Sequence, residues 1–445
     1  MSLRLILLCV VFYISPTAVA KDFLDFSELD QRLPRIRDLG VTPQSLALLT
    51  QHDIAVLQTS PQTFSTQENP FVPNEKIQLT HAFTVIHAPL ANVRQQLLDF
   101  NNYSNTMPHI RESKVRKQNT HNWIAEYELS FKMPLVTVRP NVTVQHSLTE
   151  SGDLLESVID GDMDYSIARW ELVPITPGST LVVQTAWADV SSVSWIMSLV
   201  FAVQPELETL SPITAAALTL QSLRQDIEQT YLYRYKHVSS IVWKTAPYQS
   251  VLTQHFGSSI QVLEQLTKKG TISLISPLKV SQQGQQRVLL QQIQTFARVK
   301  GNLESHKPTY TQIQQYAKGI KAIKKISAIN EQDLEHQSHW QLGFDFSIFS
   351  MGIEFDVAGQ WDTAKSQFDF YSPKGDFLHL AGRWQWFATT DEQTMVMFSS
   401  SHDIDPEAGM ILKAIRQIPF NQMFSGLFIG HQLVRGQVEM LSAKH

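Results

Sequence analysis

Along the chain, apolar and polar residues alternate in blocks whose period changes from two to about three and a half. Ile77, Leu79, Phe83 and Val85 alternate with mostly polar neighbours, which predicts a strand with one buried face. His81 and His87 share the parity of those apolar residues. After Pro89, the spacing of Leu90, Val93, Leu97 and Phe100 predicts a helix with one apolar stripe. Pro89 is placed near its first turn, and Asn101-Asn102 ends it. Next, Tyr127, Leu129, Phe131, Met133 and Leu135 alternate with Glu128, Ser130, Lys132 and Pro134, as in a half-buried antiparallel strand. Further strands are expected around Val142–Val144, Leu155–Ile159, Tyr165–Val173 and Thr180–Ala188, with turn signals at Ser151-Gly152 and Pro177-Gly178. Ile213, Ala216, Leu220, Leu223 and Ile227 then form the stripe of a closing helix, with Pro212 near its start.

The same pattern occurs twice. Gly161-Asp162, Arg169-Trp170, Thr180 and Asp189-Val190 recur 214 positions later as Gly375-Asp376, Arg383-Trp384, Thr394 and Asp403-Ile404. Upstream the shift is one less. Tyr127, Leu129, Phe131 and Met133 fall on Trp340, Leu342, Phe344 and Phe346, and Tyr103, Met107 and Ile110 fall on Tyr316, Ile320 and Ile323. Leu49-Thr50 lies over Leu266-Thr267. In the second copy, Phe424, Leu427, Val434, Val438 and Leu441 take the place of the closing stripe. The division that follows is a leader at 1–20, a first domain at 21–240 (core about 75–235) and a second at 247–445 (core about 285–443), with a seam near Ala246-Pro247.

Each copy therefore reads as strand, helix, a run of antiparallel strands and a long C-terminal helix. One helix laid across a curved sheet covers its face without filling it, and the gap is a natural ligand cavity. The fold class expected is α+β: two tandem helix-grip domains, each a curved antiparallel sheet wrapped around a long C-terminal helix.

Two segments carry a family likeness. One is Gly375-Asp376-Phe377-Leu378-His379-Leu380-Ala381-Gly382-Arg383-Trp384-Gln385-Trp386. The other is Asp99-Phe100-Asn101-Asn102-Tyr103 with Met107-Pro108-His109-Ile110. Both resemble the START-like helix-grip (SRPBCC) superfamily, above all its coenzyme Q-binding and polyketide-cyclase branch. The resemblance implies a cavity for sterols, phospholipids, isoprenoid quinones or polyketides, without a shared catalytic set. Two features depart from the family pattern. The segment Gly319–Ile323 lacks the proline of the first copy, and a tandem, exported form is unlike the single-domain intracellular members.

The export expectation comes from the N-terminus: Arg4, an apolar run from Leu3 to Tyr13, and Ala18-Val19-Ala20 before Lys21 have the plan of a cleaved signal peptide. The only cysteine, Cys9, lies inside that run, so the mature chain has neither disulfide nor thiol chemistry, which suits a bacterial periplasm. The net charge of −5, without a long basic run, argues against a nucleic-acid partner.

Candidate cavity residues are Tyr103, Met107, Phe131, Met133, Trp170 and Leu220 in the first copy, and Tyr316, Phe344, Phe346, Trp384 and Leu427 in the second. Arg169 and Arg383 are the polar candidates, either for an anionic headgroup or quinone carbonyl or as pairs with Asp162 and Asp376. If Trp170 points inward on a regular strand, Arg169 points outward. The apolar stretches Ser194–Phe201 and Met423–Gly430 suit a portal that touches membrane, an interface between the copies, or ordinary core. No metal-binding spacing, nucleophile elbow or phosphate loop occurs, and no cofactor is expected. The function expected is binding or carriage of a hydrophobic small molecule. A cyclase- or aromatase-like enzyme and a non-binding interaction module are the alternatives. The richer aromatic content of the second copy points to a smaller cavity there.

Overall fold

A computed structural model describes residues 23–64, 71, 76–132, 137–203, 205–228, 259–283, 286–332, 335–346, 349–418 and 420–443. The leader, the seam near Ala246-Pro247 and Met133 lie outside the described residues.

Sixteen strands form one antiparallel sheet. The first copy supplies β1 (Ile54–Thr59), β2 (Thr80–Ile86), β3 (Ile110–Gln118), β4 (Asn122–Leu129), β5 (Asn141–Leu148), β6 (Leu154–Gly161), β7 (Ser166–Thr176) and β8 (Ser179–Ala188). The second supplies β9 (Gly270–Ile275), β10 (Gln292–Val299), β11 (Ile323–Gln332), β12 (Glu335–Phe346), β13 (Phe349–Asp362), β14 (Gln367–Tyr371), β15 (Phe377–Ala388) and β16 (Thr394–Ile404). Their order is β3-β4-β5-β6-β7-β8-β2-β1-β9-β10-β16-β15-β14-β13-β12-β11, which reads the same from either end once the copies are equated. At the centre, β1 pairs with β9, and Val56 stands opposite Ser273.

The helices follow the same duplication. Pro43–Leu49 (α1), Leu90–Leu97 (α2), Trp195–Val203 (α3) and Pro205–Glu228 (α4) in the first copy answer to Ser259–Thr267 (α5), Leu303–Tyr310 (α6), Met410–Arg416 (α7) and Asn421–Ser442 (α8) in the second. Buried Thr50 and Thr267 bond back to Leu46 and Leu263, their equivalents one helical turn earlier. The Tyr103 hydroxyl donates to the Leu97 carbonyl at 2.6 Å, and Tyr316 repeats the bond to Tyr310 at 2.7 Å. The segment without proline thus adopts the local structure of the first copy. The closing helix of the first copy starts at Pro205, so Pro212 lies inside it rather than at its start.

The repeated Gly-Asp pair has a direct physical reason. Gly161 and Gly375 have φ of 118° and 134°, and a Cβ there would lie 2.2 Å from the Asn141 carbonyl oxygen or 2.4 Å from that of Glu354. The following carboxylates, Asp162 and Asp376, accept the backbone N–H of Asn141 and Glu354, each at 2.8 Å. Glycine lets two strands approach closely, and aspartate satisfies the N–H that the approach leaves over.

The sheet is covered on both faces. Its concave face meets α4 and α8 in one core that runs through both copies, including Ala82, Trp170, Val182, Leu220, Trp384 and Leu427. On the other face, Phe83, Val85, Leu181 and Val183 pack with α1 and α5. Leu155 and Ile167 pack there with Phe26, Leu29 and Leu33 of the N-terminal segment. All seven residues of β2 are consequently buried, where alternation alone had suggested one wet face.

Candidate functional site

A cavity of about 480 Å³ lies between the concave face of the first copy's sheet and α4. That size suits an organic ligand. Tyr103, Met107, Phe131 and Trp170 of the expected set stand on its wall, with Val142, Val158, Met163 and Leu218. The second copy contributes the rest of the wall: Ile353 from β13, Leu412 and Ile415 from α7, and Phe424, Phe428 and Ile429 from α8. The cavity is therefore composite, a feature that reading each copy by itself did not reveal.

α3 borders this space. Met197 and Phe201 line the cavity, whereas Trp195 on the same helix is 76% exposed. At the equivalent place in the second copy, Met410 opens α7 and is 78% exposed. The two apolar stretches differ in use. Much of Met423–Gly430 is buried, with Gly426 against Ile293 and Gly430 against Thr295.

The second copy's own cavity is reduced to about 30 Å³. Trp384 borders it with Trp340, Phe355, Phe368, Phe370 and Phe398. Ring packing accounts for the closure: Trp384 lies 4.8 Å from Phe398, 5.9 Å from Trp386 and 5.9 Å from Tyr316, centroid to centroid. Gly359 and Gly382 make room for Phe368 and Phe370, whose rings would meet a Cβ at either position.

Several expected residues are not on the wall of either space. Leu220 and Leu427 are wholly buried in the helix–sheet core, one helical position away from the lining residues. Tyr316 is spent on its bond to Tyr310, and Phe344 packs on Phe428 at 4.8 Å. The side chain of Phe346 is outside the description. Of the two readings of Arg169 and Arg383, the structure has the ion pairs and not the headgroup site. Arg169 is fully buried on the opposite face, as strand parity with the inward Trp170 requires. Its guanidinium holds Asp153 at 2.8 Å and Asp30 at 2.9 Å and donates to the Asp30 carbonyl, tying the N-terminal segment to the sheet. Arg383 pairs with Asp369 at 2.9 Å. The acids are not Asp162 and Asp376, which cap strand N–H groups instead.

The polar groups that do face the cavity are ones the strand pattern passed over. His146 donates or accepts at both ring nitrogens: Nε2 is 2.9 Å from the Tyr127 hydroxyl, and Nδ1 is 3.0 Å from Glu156. Phe100 stacks on the imidazole with centroids 4.0 Å apart. Burial pushes the Tyr127 phenol well above its ordinary range, so it stays protonated. Gln184 stands beside Trp170 across β7 and β8 and also lines the space. Burial holds His109, at the cavity rim, neutral by lowering its pKa to about 4. A signal for this set was present in the repeat itself. The β-sheet register equates Tyr127, His146, Glu156 and Gln184 with Trp340, Gly359, Phe370 and Phe398. Among the described residues no group of His, Cys, Asp and Glu is arranged to hold a metal ion.

Residues 86–211 match the family model described as polyketide cyclase/dehydrase and lipid transport. Similar solved structures include the di-domain ARO/CYC StfQ from the steffimycin biosynthetic pathway, at 7% identity over 82% of this chain and 97% of that one, TM-score 0.26. The Zhui aromatase/cyclase from a Streptomyces species is 12% identical over 34% of this chain and 93% of its own, TM-score 0.29. A STAR-related lipid transfer protein from Xanthomonas axonopodis is 16% identical over 40% and 94%, TM-score 0.28. No curated protein matches. The chain has an α+β fold in two tandem copies, each an antiparallel sheet covered by a long C-terminal helix, and the family model matches part of the first copy.

Proposed function

We propose that this protein binds and carries a hydrophobic small molecule, of the lipid or isoprenoid quinone class, in the composite cavity, and that it does so after export to the periplasm. The observation that carries this reading is the contrast between the copies. Folding tends to fill apolar voids, because an empty lining forfeits its contacts. The second copy has done so with aromatic rings, down to about 30 Å³, while the first keeps about 480 Å³ open behind a mostly aliphatic wall. The family described as including lipid transport is consistent with that use. The exposed Trp195 and Met410 on the two helices that contribute to the wall suit transient contact with a membrane during loading.

The test is native mass spectrometry with lipid extraction on protein purified from its own periplasm. One apolar molecule per chain is expected, and it should be lost in Ala215→Trp, which projects a large ring from α4 into the space. Recovery of the protein only in empty form, together with failure to bind a panel of lipids and quinones, would overturn the reading. Cell fractionation tests the export step: retention of the full-length chain in the cytoplasm would refute it.

A further inference from the structure

The cavity wall carries unmet polar atoms at His109 Nδ1 on its rim and, side by side, at Trp170 and Gln184. The indole N–H of Trp170 has no acceptor and Gln184 Oε1 has no donor, although both atoms are shut off from solvent. The two residues are direct cross-strand partners, so both side chains project from the same patch of the concave face. The Tyr127–His146–Glu156 chain reaches the same cavity from the neighbouring strands. If His146 donates from Nδ1 to the Glu156 carboxylate, its Nε2 accepts the Tyr127 proton, and the Tyr127 oxygen keeps lone pairs free to accept.

We propose that this patch recognises one neutral hydroxyl on an otherwise apolar ligand; the inference rests on the carrier reading above and names the ligand class. A hydroxyl oxygen accepts the Trp170 N–H, and its single proton goes to Gln184 Oε1. A carbonyl would answer only the indole. A carboxylate or phosphate would be buried beside Glu156, and among the described residues no lysine or arginine lines the cavity to neutralise it. The second copy supplies the control within the same chain. Where the cavity is closed, these positions carry Trp340, Gly359, Phe370 and Phe398, so the fold itself does not demand the polar set.

The experiment measures binding of para-nonylphenol, nonylbenzene and para-nonylbenzoate to the full chain, stripped of any co-purified ligand, by titration calorimetry. The phenol is expected to bind about tenfold tighter than nonylbenzene, as one buried hydroxyl with both partners warrants, and the benzoate no tighter than nonylbenzene. Gln184→Leu and Trp170→Phe should each move the phenol-to-nonylbenzene ratio towards one. Equal binding of phenol and nonylbenzene, tightest binding of the benzoate, or a ratio that survives Gln184→Leu and Trp170→Phe together would overturn the proposal while leaving carriage intact. If nonylbenzene, the phenol and the panel of lipids and quinones all fail to bind, the carrier reading falls and this one with it. Should Trp170→Phe not fold, Gln184→Leu carries the comparison alone.

Discussion

Glu156 in the first copy and Phe370 in the second occupy the same place in the sheet: Glu156 pairs with His146 and Ala168, and Phe370 with Gly359 and Gly382. Exchange of a carboxylate for a phenyl ring at one register position, with glycine on both flanking strands, turns a cavity wall into a packed core.

That difference predicts unequal costs for the same truncation. Trp384→Ala removes a ring held by three aromatic neighbours in a closed core and should cost about 3–5 kcal/mol. Trp170→Ala enlarges a space that is already open and should cost at least about 1 kcal/mol less. Urea denaturation of both variants measures the difference, and equal losses would contradict the closed-against-open description.

Gly161→Ala and Gly375→Ala should each destabilise by about 2–4 kcal/mol. Each adds a Cβ against a neighbouring carbonyl at a φ that side-chain-bearing residues rarely adopt. Gly178→Ala, where the Cβ meets nothing, is the matched control and should be near neutral. Thermal denaturation of the three variants separates these outcomes.

Arg169→Met should cost about 3 kcal/mol, because it leaves Asp153 under the N-terminal segment with Arg35, 3.5 Å away, as its remaining cation. The segment around Ser27–Arg32 should become sensitive to protease, while binding of an apolar probe stays as it was, since the arginine is on the far face of the sheet. Loss of probe binding in a folded variant would restore the headgroup role that the structure denies it.

The same cluster makes stability depend on pH. Burial pushes the Glu171 carboxyl up to about 7 from 4.5, against the pull of the Ile36 N–H that it accepts at 2.8 Å. A raised folded pKa favours the protonated native state, so this contribution is complete below pH 4.5 and is lost as pH rises through about 7. Glu171→Gln should therefore gain on the wild type between pH 5 and pH 8, and parallel curves would refute it. His81 and His402 act in the opposite sense. Burial lowers both to about 4 from 6.5, so stability falls as pH drops through that interval.

The duplication and the order of elements could be read from the sequence, because strand alternation and a rare residue repeated at fixed spacing survive without coordinates. The second buried face could not. Phe83 and Val85 are apolar at the same parity whether they meet solvent or α1 and α5, and only the fold shows what lies over them. The polar set was missed for a related reason. His146 and Glu156 are ordinary strand residues until β5 and β6 set them side by side. Arg169 was misleading because its partners, Asp30 and Asp153, lie 139 and 16 positions away.

The pairing of β1 with β9 has a consequence for each half taken singly. Val56 and Ser273 are counterparts, so either strand, cut from the other, is an open edge whose register already fits a copy of itself. A separately expressed half is then expected to recruit a second identical half through that edge. Such a homodimer of first halves would lack, at each chamber, the wall that the unlike half supplies, so the composite cavity needs both copies on one covalent chain.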